Sequence, residues 1–288
     1  MASQIAFVGL GQMGQGISGN LIAKGKLEKP LLLWNRTTER AAGHSTKFEH
    51  CEHVESLIKL TQESNVIWIC LQDEKALQHV LDEMLEQNVQ GKLFVDSSTI
   101  SPNFTNAVAE RVINSGAEFV AAPVFGDPSM AKAATLTVIP AGKEESVNRI
   151  LPYLEGVIGR AVVNLSGEQP GQASLLKFIG NVMIMTSMET AAEMCTFAEK
   201  TKLGPSNILK LFEALMPTSP HVVTGASQAL ALAGKVMGVA KATGTSLKSY
   251  EVAVQHLKDA KKLAGPDTSL LGIYGAIRQE SGLPYDNQ

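Results

Sequence analysis

The sequence predicts an α/β protein, with a doubly wound, mainly parallel sheet over residues 1–165 and an all-helical domain over residues 166–288. Three observations carry that prediction. A glycine-rich break follows a short apolar run near the N-terminus, β-rich runs then alternate with helically spaced segments, and the strand signal vanishes beyond Gln172. With 288 residues, 44% of them hydrophobic, the chain can fill a large core, and its length suits two ordinary domains.

The first element is Ile5-Ala6-Phe7-Val8, an apolar strand that breaks into Gly9-Leu10-Gly11-Gln12-Met13-Gly14 and continues at helical spacing through Ile17, Leu21 and Ile22. This GxGxxG between a strand and a helix is the layout that cradles a dinucleotide pyrophosphate. The first glycine makes the tight turn, the second lets backbone approach the phosphates, and the third lets the helix pack closely on the sheet. The unpaired N–H groups at the helix start then face the anion. The second strand, 31–34, ends in Asn35-Arg36-Thr37. An NAD-preferring site carries an acid near here for the ribose 2′-hydroxyl. Arg36 instead offers a guanidinium for a 2′-phosphate, and Thr37 a hydroxyl, so the expected cofactor is NADP(H) in preference to NAD(H). Taken alone, Arg36 also reads as a solvated surface charge.

Further β-rich runs at 66–71, 93–95 and 119–121 alternate with helical spacing over 75–89 and 104–113, which implies a parallel sheet. Strands over 135–141 and 161–163 are expected around a helix over 144–154. Loops at the strand C-termini, at 9–14, 35–37, 70–73, 96–102 and 122–128, should line the cofactor crevice, which adds Cys70, Leu71 and Gln72 to the cofactor contacts. His50-Cys51-Glu52-His53, with His44 nearby, lacks the paired spacings of a zinc site and reads as a polar surface loop or helix, so no metal is expected. From Gln172 a long helix runs to about Lys200. Helices follow over 206–215, 225–239, 250–263 and 269–280, with breaks at Gly204-Pro205, Pro217, Pro220, Gly244 and Gly265-Pro266.

Charge and cysteine usage narrow the function. A formal net charge of −3 without a basic run argues against nucleic-acid binding. The three cysteines, Cys51, Cys70 and Cys195, are dispersed, which fits a reducing cytoplasmic setting. No secretory signal precedes Ile5, and charges interrupt each apolar stretch before membrane-spanning length, so a soluble protein with no membrane partner is expected. The Met-rich helix over 172–200 carries more apolar surface than a small helical domain covers, so a homodimer or homotetramer is expected.

Several motifs in order resemble the β-hydroxyacid dehydrogenase family, which includes 3-hydroxyisobutyrate dehydrogenases, tartronate semialdehyde reductases and NADPH-dependent glyoxylate or succinic semialdehyde reductases. They are Phe7 to Gly14, then Asp96-Ser97-Ser98-Thr99-Ile100-Ser101-Pro102, then Ala122-Pro123-Val124, then Lys177 with Asn181 four residues on, and finally Lys258-Asp259. The resemblance covers most of the chain. It implies an N-terminal Rossmann domain of the 6-phosphogluconate dehydrogenase type, a small carbonyl or hydroxy substrate, and Lys177 and Asn181 as catalytic residues. It also places Ser98 and Thr99 beside nicotinamide and substrate, and brings Lys258 to the cofactor from the helical domain. Read without it, Ser98 and Thr99 could cap the helix after Pro102, and Lys258 is a solvated helix position beside Lys261 and Lys262.

Residues four apart on a helix share a face, so Lys177 and Asn181 can meet one small substrate. Hydride transfer to a carbonyl leaves charge on oxygen, which an ammonium can stabilise and protonate; partial burial would lower the lysine pKa toward that task. Asn181 both donates and accepts, and would orient substrate or hold Lys177. In typical family members the segment after Ala-Pro-Val continues Ser-Gly-Gly and receives the substrate carboxylate. Here it is Phe125-Gly126-Asp127, a phenyl ring and an acid, which implies a larger or more apolar substrate pocket. Gln169-Pro170-Gly171 and Gly180 also depart from the family pattern. Imine reductases share this plan but usually replace the lysine, and Asp127 would favour an iminium. A non-catalytic dinucleotide-binding scaffold is the third reading.

Overall fold

The computed structural model describes residues 3–215 and 226–286. The chain runs β1 (Ile5–Val8), α1 (Gln12–Lys24), β2 (Leu31–Trp34), α2 (Thr38–Ser45), β3 (Cys51–His53), α3 (Leu57–Glu63), β4 (Val66–Ile69), α4 (Glu74–Met84), β5 (Leu93–Asp96), α5 (Pro102–Asn114) and β6 (Glu118–Ala121). It continues with β7 (Val124–Phe125), α6 (Pro128–Ala133), β8 (Leu136–Val138), β9 (Ala141–Gly142), α7 (Glu144–Ile150), a 3-10 turn (Leu151–Tyr153), β10 (Gly159–Val162) and β11 (Leu165–Ser166). The remaining elements are α8 (Pro170–Lys200), α9 (Pro205–Leu215), α10 (Ala226–Ala242), α11 (Lys248–Ala264) and α12 (Gly272–Glu280).

The large sheet has the order β11-β9-β6-β5-β4-β1-β2-β3. Its portion β3-β2-β1-β4-β5-β6 is parallel throughout, which is the Rossmann order with the topological switch between β1 and β4. Side chains of successive strand residues point to opposite faces, and both faces are buried. Ala6, Val8, Ile67 and Phe94 enter the core covered by Leu57, Leu77 and Val108 of α3, α4 and α5. Ile5, Phe7, Trp68 and Val95 enter the other, with Ile17 and Leu21 of α1 and Val147 of α7.

Three expectations are corrected. Residues 51–53, read as loop or helix, form β3 at the sheet edge, paired with Leu31–Leu33 of β2 on one side only, where polar residues are tolerated. The single strand expected over 135–141 is two: β8 joins β7 and β10 in a separate three-stranded sheet, while β9 pairs antiparallel with β6. Pro140, which has no N–H to give a ladder, stands at the division. The segment 122–128, read as a loop, contains β7.

Two compact units divide inside α8, Met1–Lys177 and Phe178–Gln288; the end of the strand pattern puts the expected domain boundary at 165/166. In the second unit Phe178, Met185, Ala233, Tyr250, Leu257 and Ile273 form the core. Two ionic groups are built into it. His256 bonds Glu189 through Nδ1 at 2.5 Å and Glu280 through Nε2 at 2.7 Å, and Glu199 accepts from both Tyr274 and the buried Arg278. The expected breaks at Pro217 and Pro220, and the start of the 225–239 helix, lie outside the described residues. Among the described residues, no helix is long and apolar enough to cross a membrane, and no group of three or more His, Cys, Asp or Glu could hold a metal ion.

Candidate active site

At the switch point the chain leaves β1 through Gly9, whose φ of +100° is open to glycine but strained for other residues. A Cβ there would stand 2.3 Å from the Cys70 carbonyl oxygen. Gly9 N–H donates to Trp34 O at 3.0 Å and Leu10 N–H to Asn35 Oδ1 at 2.9 Å, so the tip of β2 holds the turn. Gly14 packs so closely that its Cβ would lie 1.9 Å from Gly9 O. Gly11 differs, since a Cβ on it would meet nothing within 4 Å. Gly11 is also the N-cap of α1 and supplies no side-chain acceptor, while Gln12 is exposed and Met13 half-buried. A 13-residue helix therefore begins with backbone N–H groups uncapped beside open space, an arrangement that fits the pyrophosphate of a dinucleotide.

The neighbouring loops have distinct tasks. Asn35 Nδ2 donates to Thr37 O at 3.0 Å, so Asn35 braces two turns at once. Arg36 and Thr37 are exposed, and Arg36 makes no hydrogen bond or ion pair among the described residues, leaving its guanidinium available at the end of β2. Cys70 and Leu71 are half-buried and Gln72 is exposed at the end of β4. Burial and the nearby Asp96 push the Cys70 thiol up to about 12, which makes it a poor nucleophile.

Ser98, expected beside the substrate, is 2% exposed, and its Oγ accepts from Leu71 N–H at 2.9 Å. Its N–H donates to Asp96 Oδ1 at 3.0 Å. That residue is thus a clamp between the loops after β4 and β5, and Thr99 beside it is half-buried. Nor does either residue cap α5, whose N-cap is Ser101. Sequence reasoning did not single out Asp96, although a carboxylate ending an apolar strand is itself a signal. Burial raises its pKa to about 6, against the hydrogen bonds from Ser98.

Lys177 lies near the start of α8 and is 9% exposed. Its Nζ stands 3.9 Å from the centroid of the Phe125 ring. Desolvation lowers its pKa from 10.5 to about 7. Phe125 is held by β7, where it pairs with Thr137, and by Gly126, whose φ of +136° and close approach to Leu136 leave no room for a side chain. Asp127 caps α6: its Oδ1 accepts from Ser129 N–H at 2.7 Å, Ser129 Oγ at 2.6 Å and Met130 N–H at 3.0 Å. These bonds hold the carboxyl below its usual pKa and give it a helix-capping task. Asn181 follows one turn after Lys177, and its Nδ2 is buried without a hydrogen-bond partner among the described residues. Lys258, on α11 in the second unit, is exposed.

Residues 4–167 match the NAD binding domain of 6-phosphogluconate dehydrogenase. The NADH-dependent oxidoreductase ucdB of Aspergillus ustus is 44% identical over 95% of this chain and 98% of its own. Glyoxylate/succinic semialdehyde reductase 1 of Arabidopsis thaliana is 28% identical over 75% of this chain and 73% of its own. Among solved structures, 3-hydroxyisobutyrate dehydrogenase of Mycobacterium tuberculosis with L-serine superposes with a TM-score of 0.83 at 21% identity, covering 96% of this chain and all of that one.

Proposed function

The chain belongs to the β-hydroxyacid dehydrogenase family of oxidoreductases, and on that premise we propose that it is an NADP(H)-dependent reductase of an aldehyde or ketone, with Lys177 as general acid and base. The observation that carries this reading is the buried Lys177 ammonium, whose pKa of about 7 suits proton transfer in either direction near neutrality. The bound nicotinamide supplies or takes the hydride at the carbonyl carbon. Lys177 Nζ gives its proton to the carbonyl oxygen as that oxygen becomes a hydroxyl; in the reverse direction the neutral amine takes the hydroxyl proton. Asn181, with its uncommitted amide, orients substrate or Lys177. The uncapped start of α1 holds the pyrophosphate and Arg36 the 2′-phosphate, with Cys70, Leu71, Gln72 and Thr99 completing the cofactor contacts of the first unit.

The Aspergillus ustus relative is named for NADH, so cofactor choice rests on Arg36 and is decided by measurement with both cofactors. Asp127 Oδ1 caps α6, which leaves the imine reading as an alternative that cyclic imines in the substrate panel test. Exposed Ile179, Met183, Met194 and Phe197 along α8 favour self-association, which light scattering on the purified protein would measure. A cytoplasmic location accords with the dispersed free cysteines.

The direct test is a panel of semialdehydes, keto acids, neutral aldehydes and cyclic imines, run with NADPH and NADH on the parent and Lys177→Ala. We expect carbonyl reduction by the parent and loss of turnover, with cofactor binding kept, in the variant. Full turnover by Lys177→Ala would end the acid–base assignment. Cofactor binding without turnover of any panel member would favour the scaffold reading.

A further inference from the structure

The pairing of Lys177 with Phe125 defines the kind of carbonyl compound this site accepts. Phe125 is not a loosely placed ring. Its backbone is fixed on one side by the β7–β8 ladder and on the other by Gly126, where a Cβ would stand 2.5 Å from Leu136 Cδ2. The following Asp127 is anchored as the cap of α6. The Lys177 ammonium thus meets the π face of a ring whose position the local fold determines, at 3.9 Å from the centroid.

A carboxylate at this spot would find no donor on Phe125, and to pair with the Lys177 ammonium it would have to displace that ammonium's contact with the ring. An uncharged group meets neither penalty. We propose, resting on the reductase reading above, that Phe125 is a specificity-determining residue that holds the Lys177 ammonium and rejects carboxylates, so that the substrate is an aldehyde or ketone uncharged near its reacting carbon. Phe125 acts through Lys177 and through exclusion and takes no part in bond making.

The experiment compares 4-oxobutanoate with its methyl ester, which present the same aldehyde with and without a charge. With NADPH, the parent should favour the ester by about ten-fold or more in kcat/KM, and Phe125→Ser should narrow that ratio by a similar factor by improving the anion. Phe125→Leu adds a readout that simple packing would not move. The ring favours protonated Lys177, so its loss should shift the high-pH limb of ester reduction down by about half a pH unit. Parent enzyme that prefers the anion overturns the proposal while leaving the reductase reading intact, and so does an unmoved limb in Phe125→Leu. Cofactor binding with reduction of neither aldehyde overturns the reductase reading, and this proposal with it.

Discussion

Replacing Lys177 by Met should stabilise the protein at pH 7 while removing its activity. The folded lysine titrates at about 7 against 10.5 for the free side chain. Each unit is worth about 1.4 kcal/mol, so burial costs roughly 4 kcal/mol at pH 7, where half the amines are already neutral. The ring contact with Phe125 returns about 1 kcal/mol of that, leaving a net gain of about 3 kcal/mol for an apolar side chain of similar length. For a unit of 177 residues this corresponds to a rise in Tm of roughly 6–12 °C. The sign with pH is opposite to that of an acid. Between the two pKa values the unfolded chain binds more protons than the folded one, so parent stability rises with pH. The advantage of Lys177→Met should therefore be full below pH 7 and shrink to about 1 kcal/mol by pH 9.5. Urea unfolding and melting curves at pH 7 and 9.5, with reductase assays on the same samples, measure it. A variant no more stable than the parent at pH 7, or a gain that persists undiminished at pH 9.5, would refute the reasoning.

Other substitutions probe the remaining parts. Arg36→Ala should reduce the NADPH-to-NADH ratio of kcat/KM by about ten-fold or more, through loss of charge-assisted hydrogen bonds to the 2′-phosphate; an unchanged ratio removes Arg36 from cofactor choice. Gly14→Ala forces a methyl to within 1.9 Å of Gly9 O, so cofactor titration should show loss of binding and unfolding should show about 2 kcal/mol of destabilisation. Asp127→Ala should cost about 1 kcal/mol by uncapping α6, measured by denaturant midpoint. His256 has a raised pKa through Glu280 and Glu189, against the opposing effect of its own burial, so its contribution is full below pH 6.5 and lost as pH rises through the folded value. His256→Gln should accordingly lower Tm more at pH 6 than at pH 9.

The sheet was readable in the sequence where strands are buried on both faces, because such strands appear as unbroken apolar runs between turns. That is why β1, β2, β4, β5 and β6 were legible. The strand Cys51–His53 was not, since an edge position lets polar residues pair on one side without an apolar signature. The split of 135–141 depends on which sheet each half joins, a tertiary fact that local spacing does not encode. In the site, the glycine turn was legible because its demands are local. Lys177 needed the resemblance to be singled out, since an isolated lysine on a helix reads as surface charge. Its contact with Phe125, 52 residues away in the sequence, had no local signal, and neither did the turn of Ser98 toward Leu71.

The bond from Leu10 N–H to Asn35 Oδ1 makes the two ends of the cofactor cradle interdependent. Anyone retuning this protein for a different nicotinamide would be drawn to Asn35-Arg36-Thr37 as a block, by analogy with swaps of whole loops between enzymes. Changing Asn35 would release the glycine turn, so on the proposed reading cofactor choice is altered with least damage to the turn through Arg36 and Thr37 alone. Selectivity is evolvable here one residue to the side of the residue that keeps the cradle in shape.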